Sequence, residues 1–231
     1  MDAYHVAGWV SSVFFVLSLV GILDQILKLH RRKRRFRLAP SGESVTAVLS
    51  LNQFLCHFLG VYAFFVYGFL IARFNHYLVW PRLAATLLVL VILFQIMADR
   101  RNLASRLVFG GCLAATAAAL LMLASGYRIG AVGTHAAQAL VVAVFAIGAQ
   151  GYVHQLAAIR RSGTTGAISL PMNVLIVLKD ASSFALGVAM GVADGWPVML
   201  QNGTNGLFRL SIVSQFYLLR ARRGAGGVAT P

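Results

Sequence analysis

Of the 231 residues, 59% are hydrophobic and only 11% are charged, and the mean hydropathy is +0.77. A soluble domain normally carries roughly 25% charged residues because water has to wet its surface. This composition excludes a water-soluble globule. The net charge of +14 does not indicate a nucleic-acid partner either, because seven of the twenty basic residues lie in one stretch beside an apolar run, Lys28–Arg37. A basic cluster in that position is typical of a topology signal that attracts anionic lipid headgroups.

Seven apolar segments follow one another along the chain. They span about residues 8–29, 45–72, 77–97, 105–125, 134–159, 168–190 and 196–219. At about 1.5 Å of rise per residue, each is long enough to cross about 30 Å of hydrocarbon as a helix. The chain opens with Asp2 rather than basic residues, and no small-residue cleavage site follows the first segment, which we therefore expect to be a retained span. The sequence predicts an all-α membrane protein with seven transmembrane helices.

The distribution of basic residues predicts the orientation of these helices. The loops after the first, third and fifth segments and the C-terminal tail hold most of them, whereas the opposite side holds Arg73, Arg82 and Arg128. Positively charged loops stay in the cytoplasm, so we expect the N-terminus outside and the C-terminus inside, in a bacterial inner membrane. Three tryptophans begin segments on the outer side and would form an aromatic belt there: Trp9, Trp80 and Trp196.

The second and sixth segments repeat each other. LNQFLCHFLGV (Leu51–Val61) lines up with LKDASSFALGV (Leu178–Val188), and Gln95 and Gln215 hold the same place near the ends of the third and seventh segments. The chain therefore reads as three helices, one linker helix and three helices again, with both triplets in the same orientation. We expect parallel three-helix repeats over residues 1–100 and 131–222, a linker helix within 101–130 and a cytoplasmic tail at 223–231.

This arrangement resembles the PQ-loop superfamily, which includes the SWEET sugar transporters, in a bacterial-type member with seven helices. The likeness lies in the glutamine that closes the first helix of each triplet, Gln25 and Gln155, and in the Ser-Leu-Pro of GTTGAISLPMNVL (Gly163–Leu175). It lies also in the last segment, where Asn205 precedes a glutamine by ten positions. The resemblance implies a transporter that moves a small polar solute (a sugar, an amino acid or a carboxylate) by alternating access through a midplane pocket between the repeats.

The sequence also departs from the family pattern. Asp24 and His154 stand where the family has a proline before the glutamine, and Ala85 stands in the third segment where the seventh has Asn205. Near the cytoplasmic ends of their helices, Asp24 and His154 are either part of an inner gate or interfacial residues wetted by headgroups. We expect the gate and hinge residues to be Asp24, Gln25, His154, Gln155 and Pro171.

Three ionisable residues lie near the middle of predicted spans, where they are costly and mark functional sites. Lys179 and Asp180 are on the sixth segment and Arg209 is on the seventh. Neighbouring residues point about 100° apart on a helix, so we expect Lys179 and Asp180 not to face each other and Asp180 to meet Arg209 across the helix interface. Such a pair either locks the bundle or forms a pocket. Two cations against one acid favour an anionic solute, whereas an unpaired Asp180 would suit proton coupling.

The repeat extends this group to the second segment, where Asn52, Gln53 and His57 match Lys179, Asp180 and Phe184. The resemblance implies that a central cavity is lined at such positions. The predicted solute-binding residues are Asn52, Gln53, His57, Lys179, Asp180, Phe184, Asn205 and Arg209.

Other chemistries have little support in the sequence. His57 has no second ligand at a metal-binding spacing, and Cys56 and Cys112 lie inside apolar segments, where packing is their expected role. No GxSxG, HExxH or P-loop motif occurs, so we expect neither an enzyme nor a cofactor. The expected partners are a small-molecule solute and the lipid bilayer, with a possible second copy of the chain. The alternative function is a membrane receptor or accessory protein that binds a small ligand in the same pocket without transporting it.

Overall fold

A computed structural model describes residues 2–38, 46, 51–126, 130–162 and 170–226. Within these ranges the backbone forms seven α-helices, one at each predicted apolar segment, and no strand. They are α1 (Ala3–Leu38), α2 (Leu51–Leu70), α3 (His76–Arg100), α4 (Leu103–Ser125), α5 (Gly130–Ser162), α6 (Leu170–Ala189) and α7 (Val192–Gly226). The predicted all-α class is confirmed.

Several of these helices have the length and composition of membrane spans. Among the described residues, five stretches meet that criterion: Ala3–Arg31, Leu51–Leu70, His76–Arg100, Leu103–Ser125 and Val132–Gln150. The chain is an integral membrane protein on these grounds. The middle of α7 is less apolar, because it carries amide side chains and an arginine. The grouping of the helices as three, one and three remains a prediction.

The basic stretch Lys28–Arg37 belongs to α1 and is not the loop that we expected. Lysine and arginine are good helix formers, and adding a turn to an existing helix costs little, so the span continues into the basic residues. With 36 residues, α1 is about 54 Å long, which exceeds the hydrocarbon thickness. Asp24 and Lys28, one turn apart, form an exposed ion pair at 2.5 Å.

The chain divides into two compact units, and the boundaries fall within α1 and α5. One unit is Phe15–Val144 and the other is Met1–Phe14 with Phe145–Pro231. Their bounds differ from those of the predicted repeats because spatial proximity along the backbone, rather than sequence similarity, defines them.

The core of the unit Phe15–Val144 is formed by α2, α3 and α4. One cluster of its buried apolar residues contains Phe58, Val89, Leu90, Leu93 and Cys112. Cys112 thus has the packing role predicted for it, and Cys56 is half-buried. The second part of α1 packs against α3 through Phe15 and Leu19, which contact Ala85.

Thr46, which precedes α2 in the sequence, is bound to the end of α3. The backbone nitrogen and Oγ1 of Thr46 donate to Asp99 Oδ2 at 2.8 and 2.7 Å. Arg100 Nη2 donates to the backbone oxygen of Thr46 at 2.8 Å. These bonds hold Thr46 against the end of α3.

In the other unit, α6 and α7 are neighbours joined by a tight turn. Gly191 in this turn has a φ of 83°, which a residue with a Cβ rarely adopts. Beyond the turn the helices approach so closely that a Cβ on Gly195 would overlap the carbonyl oxygen of Gly187. The first part of α1 belongs to the same unit, and Ser11 Oγ lies 3.0 Å from Ser183 Oγ, with both side chains fully buried.

The contact between Gly187 and Gly195 gives a direct test of this packing. A Gly195→Ala substitution should lower the free energy of unfolding by about 1–3 kcal/mol, because the added methyl group meets backbone that cannot rotate away. Denaturant unfolding in detergent micelles would measure the change. Gly110→Ala on α4 is the matched control, since its Cβ would meet nothing within 4 Å. Equal stability of the two variants would contradict this packing.

Candidate functional site

Several polar side chains of α6 and α7 are buried or half-buried. We use the name α6–α7 cluster for six of them: Asn173, Lys179, Asp180, Ser183, Asn202 and Arg209. Three of these residues were predicted from the sequence, and Asn173, Ser183 and Asn202 were not. Asparagine and serine carry no charge, so their occurrence within a span gave no signal as strong as that of the ionisable residues.

Asp180 is the acidic residue of the cluster and is deeply buried. It is only 1% exposed, and the side chain of Lys179 is 17% exposed. Lys179 Nζ lies 2.5 Å from Asp180 Oδ1, so the expectation that these neighbours do not face each other is wrong. The four-carbon stem of lysine is flexible and lets the ammonium group fold back over the helix surface. The pair thereby brings opposite charges together inside α6.

Arg209 is held by an amide on α6. Its Nη1 donates to Asn173 Oδ1 at 2.9 Å, and Asn173 is 3% exposed. The sequence pointed instead to Asp180 as the partner of Arg209, and that contact remains a prediction. Asn173 and Asp180 are seven residues apart, which is about 10 Å along a helix axis. The bond to Asn173 therefore draws the guanidinium towards the start of α6.

Small residues of α7 make room for the cluster. A Cβ on Gly206 would lie 3.7 Å from Asp180 Cβ, and a Cβ on Gly203 would lie 3.1 Å from the ring of Phe184. The α7 backbone thus packs directly on two of the predicted site residues. Asn205, between these glycines in the sequence, is half-buried. On the preceding turn, Gln201 Oε1 is buried and accepts no hydrogen bond from the residues that the structure describes.

The three site residues predicted on the second segment lie near the start of α2. Asn52, Gln53 and His57 all have exposed side chains, and Cys56 Sγ donates to Asn52 Oδ1 at 3.9 Å. They belong to the unit Phe15–Val144, whereas the α6–α7 cluster belongs to the other unit. Their part in a common solute pocket remains a prediction.

Only two of the five predicted gate and hinge residues have side chains that the structure describes. Asp24 is exposed and paired with Lys28, and Gln25 is half-buried on α1. His154 and Gln155 belong to α5 and Pro171 to α6, but their side chains lie outside the described residues.

Arg82, which the sequence analysis assigned to the outer side of the membrane, is the seventh residue of α3 and is 3% exposed. The side of the membrane on which it lies remains a prediction. Pro81, just before Arg82, has no amide hydrogen, so the backbone oxygen of Tyr77 loses its usual helical donor. Arg82 Nη1 donates to that oxygen at 3.3 Å. Its guanidinium also lies 4.7 and 5.4 Å from the ring centroids of Phe15 and Phe64.

The starts of α3 and α7 share a local pattern. Trp80-Pro81 and Trp196-Pro197 are the fifth and sixth residues of their helices. Five residues after each proline, a buried polar side chain donates to the backbone oxygen one turn earlier, at 2.8 Å in both helices. The donors are Thr86 Oγ1, to the oxygen of Arg82, and Asn202 Nδ2, to that of Val198. The first turns of α3 and α7 are thus alike in their Trp-Pro dipeptide and in the side-chain bond that follows it.

An apolar groove of about 340 Å³ lies between α2 and α4. Its lining contains Leu55, Phe58, Leu59, Tyr62, Leu107, Val108, Gly111, Cys112 and Ala115. It contains none of the predicted solute-binding residues, and a polar solute would find few hydrogen-bond partners there. Within the described ranges, no group of three His, Cys, Asp or Glu residues is placed to hold a metal ion.

Comparison with solved structures gives an informative likeness. The structure is similar to that of a eukaryotic SWEET transporter determined at 3.7 Å resolution, with a TM-score of 0.66 and 15% sequence identity. The similarity covers 95% of this chain and 97% of the other. The chain therefore has a SWEET-like fold, as the sequence predicted. No family model and no curated protein matches the sequence.

The ion pair of Lys179 and Asp180 predicts a strong dependence of each residue on the other. A Lys179→Met variant leaves a buried carboxylate without this cation and should unfold more easily by about 3–5 kcal/mol. A double variant that adds Asp180→Asn no longer has the buried negative charge, and it should regain at least half of the lost free energy of unfolding. Denaturant unfolding of both variants in micelles measures the coupling.

A matched control is available in the exposed pair of α1. Lys28→Met removes the partner of Asp24, and it should change stability little because solvent screens that pair. If the double variant on α6 were less stable than Lys179→Met alone, the two charges would not be coupled as described.

Arg82 should stabilise the fold through its guanidinium. An Arg82→Met variant keeps an apolar stem but removes the donor to Tyr77 and the contacts with two aromatic rings, so we expect a loss of about 1–3 kcal/mol. Arg106→Met on α4, where the side chain is exposed, is the control. Thermal unfolding in detergent would compare the two, and a Tm for Arg82→Met equal to that of the control would refute the assignment.

Proposed function

We propose that this protein carries a small polar solute (a sugar, an amino acid or a carboxylate) across the membrane by alternating access, and that the α6–α7 cluster is part of its solute site. The observation that carries the proposal is the Lys179–Asp180 ion pair near the middle of α6, beside a helix that has a half-buried arginine and a buried asparagine. Charged groups within a span cost about 2.5–3.5 kcal/mol each on insertion scales.

A purely structural role explains this cluster less well than a solute site does. Replacing a buried ion pair with packed apolar residues often leaves stability unchanged or raises it, so helix packing alone gives no reason to keep the pair. The cluster also contains more hydrogen-bonding groups than packing requires, and Gln201 Oε1 beside it has no donor among the described residues. A polar solute would supply such donors and acceptors.

The fold supports transport as the activity. A solved structure that resembles this chain over nearly its whole length is a transporter by name. A fold does not by itself define a function, so the proposal depends on the fold and the polar cluster together.

Two proline positions support a mechanism in which helices bend. Pro81 and Pro197 occupy the same place in α3 and α7, and proline inside a helix is a common site of kinking. In α3 the oxygen released by the proline is bound by Arg82, so this helix tolerates the missing bond.

Reconstitution of the full chain into liposomes tests the proposal. Uptake of labelled glucose, alanine and lactate should exceed that of protein-free liposomes for at least one solute. Asp180→Asn should lower that uptake by about tenfold or more, because it removes the carboxylate that holds Lys179. Asp194→Asn, an acid in the first turn of α7 and outside the cluster, is the matched control and should retain uptake.

The same experiment separates the carrier from the alternative receptor. A solute that raises the Tm of the protein but never enters the liposomes, with or without a pH gradient, would rule out the carrier function and favour a ligand-binding receptor.

A further inference from the structure

We infer that the apolar groove between α2 and α4 holds an acyl chain of an anionic phospholipid, and that Arg101 and Arg106 bind the phosphate of its headgroup. This lipid site lies within the unit Phe15–Val144 and does not depend on the proposed transport. Three observations support it: the size and apolar lining of the groove, the exposed face beside it, and the two cations at its end.

The groove has the size of a lipid acyl chain. Its α4 wall runs from Leu107 to Ala115, which is about 12 Å along a helix axis. One leaflet supplies about half of the 30 Å of hydrocarbon in a bilayer, or about 15 Å. The hydroxyl of Tyr62 in the lining donates to the backbone oxygen of Ala115 at 3.0 Å, so it needs no bond from a ligand. A hydrocarbon chain therefore fits this groove of about 340 Å³ better than a polar molecule does.

The face of α4 beside the groove is exposed and apolar. Leu103 and Leu107 are 71% and 65% exposed, and Gly111 in the lining is exposed as well. A Cβ on Gly111 would meet nothing within 4 Å, so the space beside this residue is open. Because α4 has the length and composition of a membrane span, we expect lipid chains to contact this face.

Two arginines lie at the end of the groove where α4 begins. Arg106 directly precedes Leu107, the first groove residue of α4, and Arg101 lies in the two-residue link between the spans α3 and α4. Such a link lies near the headgroups, where a phosphate is available. Both side chains are exposed, and Arg101 Nε donates to the backbone oxygen of Ala98 at 3.4 Å. The terminal nitrogens of a guanidinium match a phosphate group well.

The backbone at Arg101 agrees with a role for its side chain. This residue is the C-cap of α3 and has a φ of 51°, a conformation in which glycine or asparagine is usual. Glycine would adopt it with less strain, yet the chain has a cation there. Around this link, Asp99 stands against Arg100, Arg101 and Arg106, so the formal charge is +2. An anionic headgroup would be attracted to this region.

The arginines, rather than the groove, decide which lipid is bound. Lipid tails are as apolar as the groove, so the groove receives a chain but does not distinguish one headgroup from another. Each basic residue near the membrane surface favours anionic lipid by a factor of about five, and two arginines together by about 25.

A second copy of the chain is a less suitable occupant of the groove. Two copies with the same orientation in a bilayer are related by an axis along the membrane normal. The same face of each would then meet at the same depth, and the arginines of both copies would repel each other.

Filling the groove tests the inference. In the full chain in detergent, phosphatidylglycerol should raise the Tm more than phosphatidylcholine with the same acyl chains, and glycerol 3-phosphate, which has no chains, should not raise it. Gly111→Leu places a side chain at the groove and should weaken phosphatidylglycerol binding by about tenfold or more. Gly110→Leu is the matched control, since its Cβ also meets nothing within 4 Å and Gly110 does not line the groove.

A double variant, Arg101→Gln with Arg106→Gln, tests the headgroup contact. It should bind phosphatidylglycerol and phosphatidylcholine about equally. Arg160→Gln with Arg161→Gln, two exposed cations at the end of α5, is the matched control and should keep the preference.

Three results would overturn the inference. The first is a preference for phosphatidylglycerol that survives in the Arg101→Gln, Arg106→Gln variant. The second is equal lipid binding by Gly111→Leu and Gly110→Leu. The third is a dimer that Gly111→Leu dissociates and added phosphatidylglycerol does not, because it would assign the groove to a second copy of the chain.

Discussion

A lipid bilayer offers no hydrogen-bond partners, so each polar group within a membrane helix has to find its partner in the protein. This constraint accounts for several of the side-chain bonds in the described part of the chain. Thr86 and Asn202 bind backbone oxygens of their own helices, Ser11 pairs with Ser183, and Arg82 covers the oxygen that Pro81 releases. The charged residues of α6 and α7 obey the same rule, with Lys179 against Asp180 and Asn173 on Arg209.

Glycine residues allow side-chain bonds of this kind where helices meet. At Gly187 and Gly195 the backbones of α6 and α7 approach more closely than any side chain would allow, and further along, Gly203 and Gly206 lie against Phe184 and Asp180. Close backbone approach gives short polar side chains the reach to bond between helices. The glycines therefore link the packing of this unit to the polar cluster that we propose as its solute site.

The helices could be predicted from the sequence, whereas several partners of their side chains could not. Runs of apolar residues are a strong signal, and each coincides with a helix in the structure. The ion pair of Lys179 with Asp180 was missed because helical geometry fixes the direction of Cβ but not that of a long flexible side chain. The aromatic partners of Arg82 could not be predicted because Phe15 and Phe64 lie on other helices. Asn173 was missed because its role depends on Arg209, which is 36 residues away in the sequence.

The central claim is that the polar side of α7 borders a solute pathway within the membrane, while its apolar side faces lipid. Cysteine labelling in liposomes tests this most directly, in a Cys56→Ser, Cys112→Ser background. Asn205→Cys and Leu207→Cys are two residues apart, and Asn205 is half-buried whereas the Leu207 side chain is an exposed apolar group. A water-soluble, membrane-impermeant thiol reagent should modify Asn205→Cys and leave Leu207→Cys unmodified. Absence of reaction at both positions, or equal reaction at both, would contradict a solute pathway along α7.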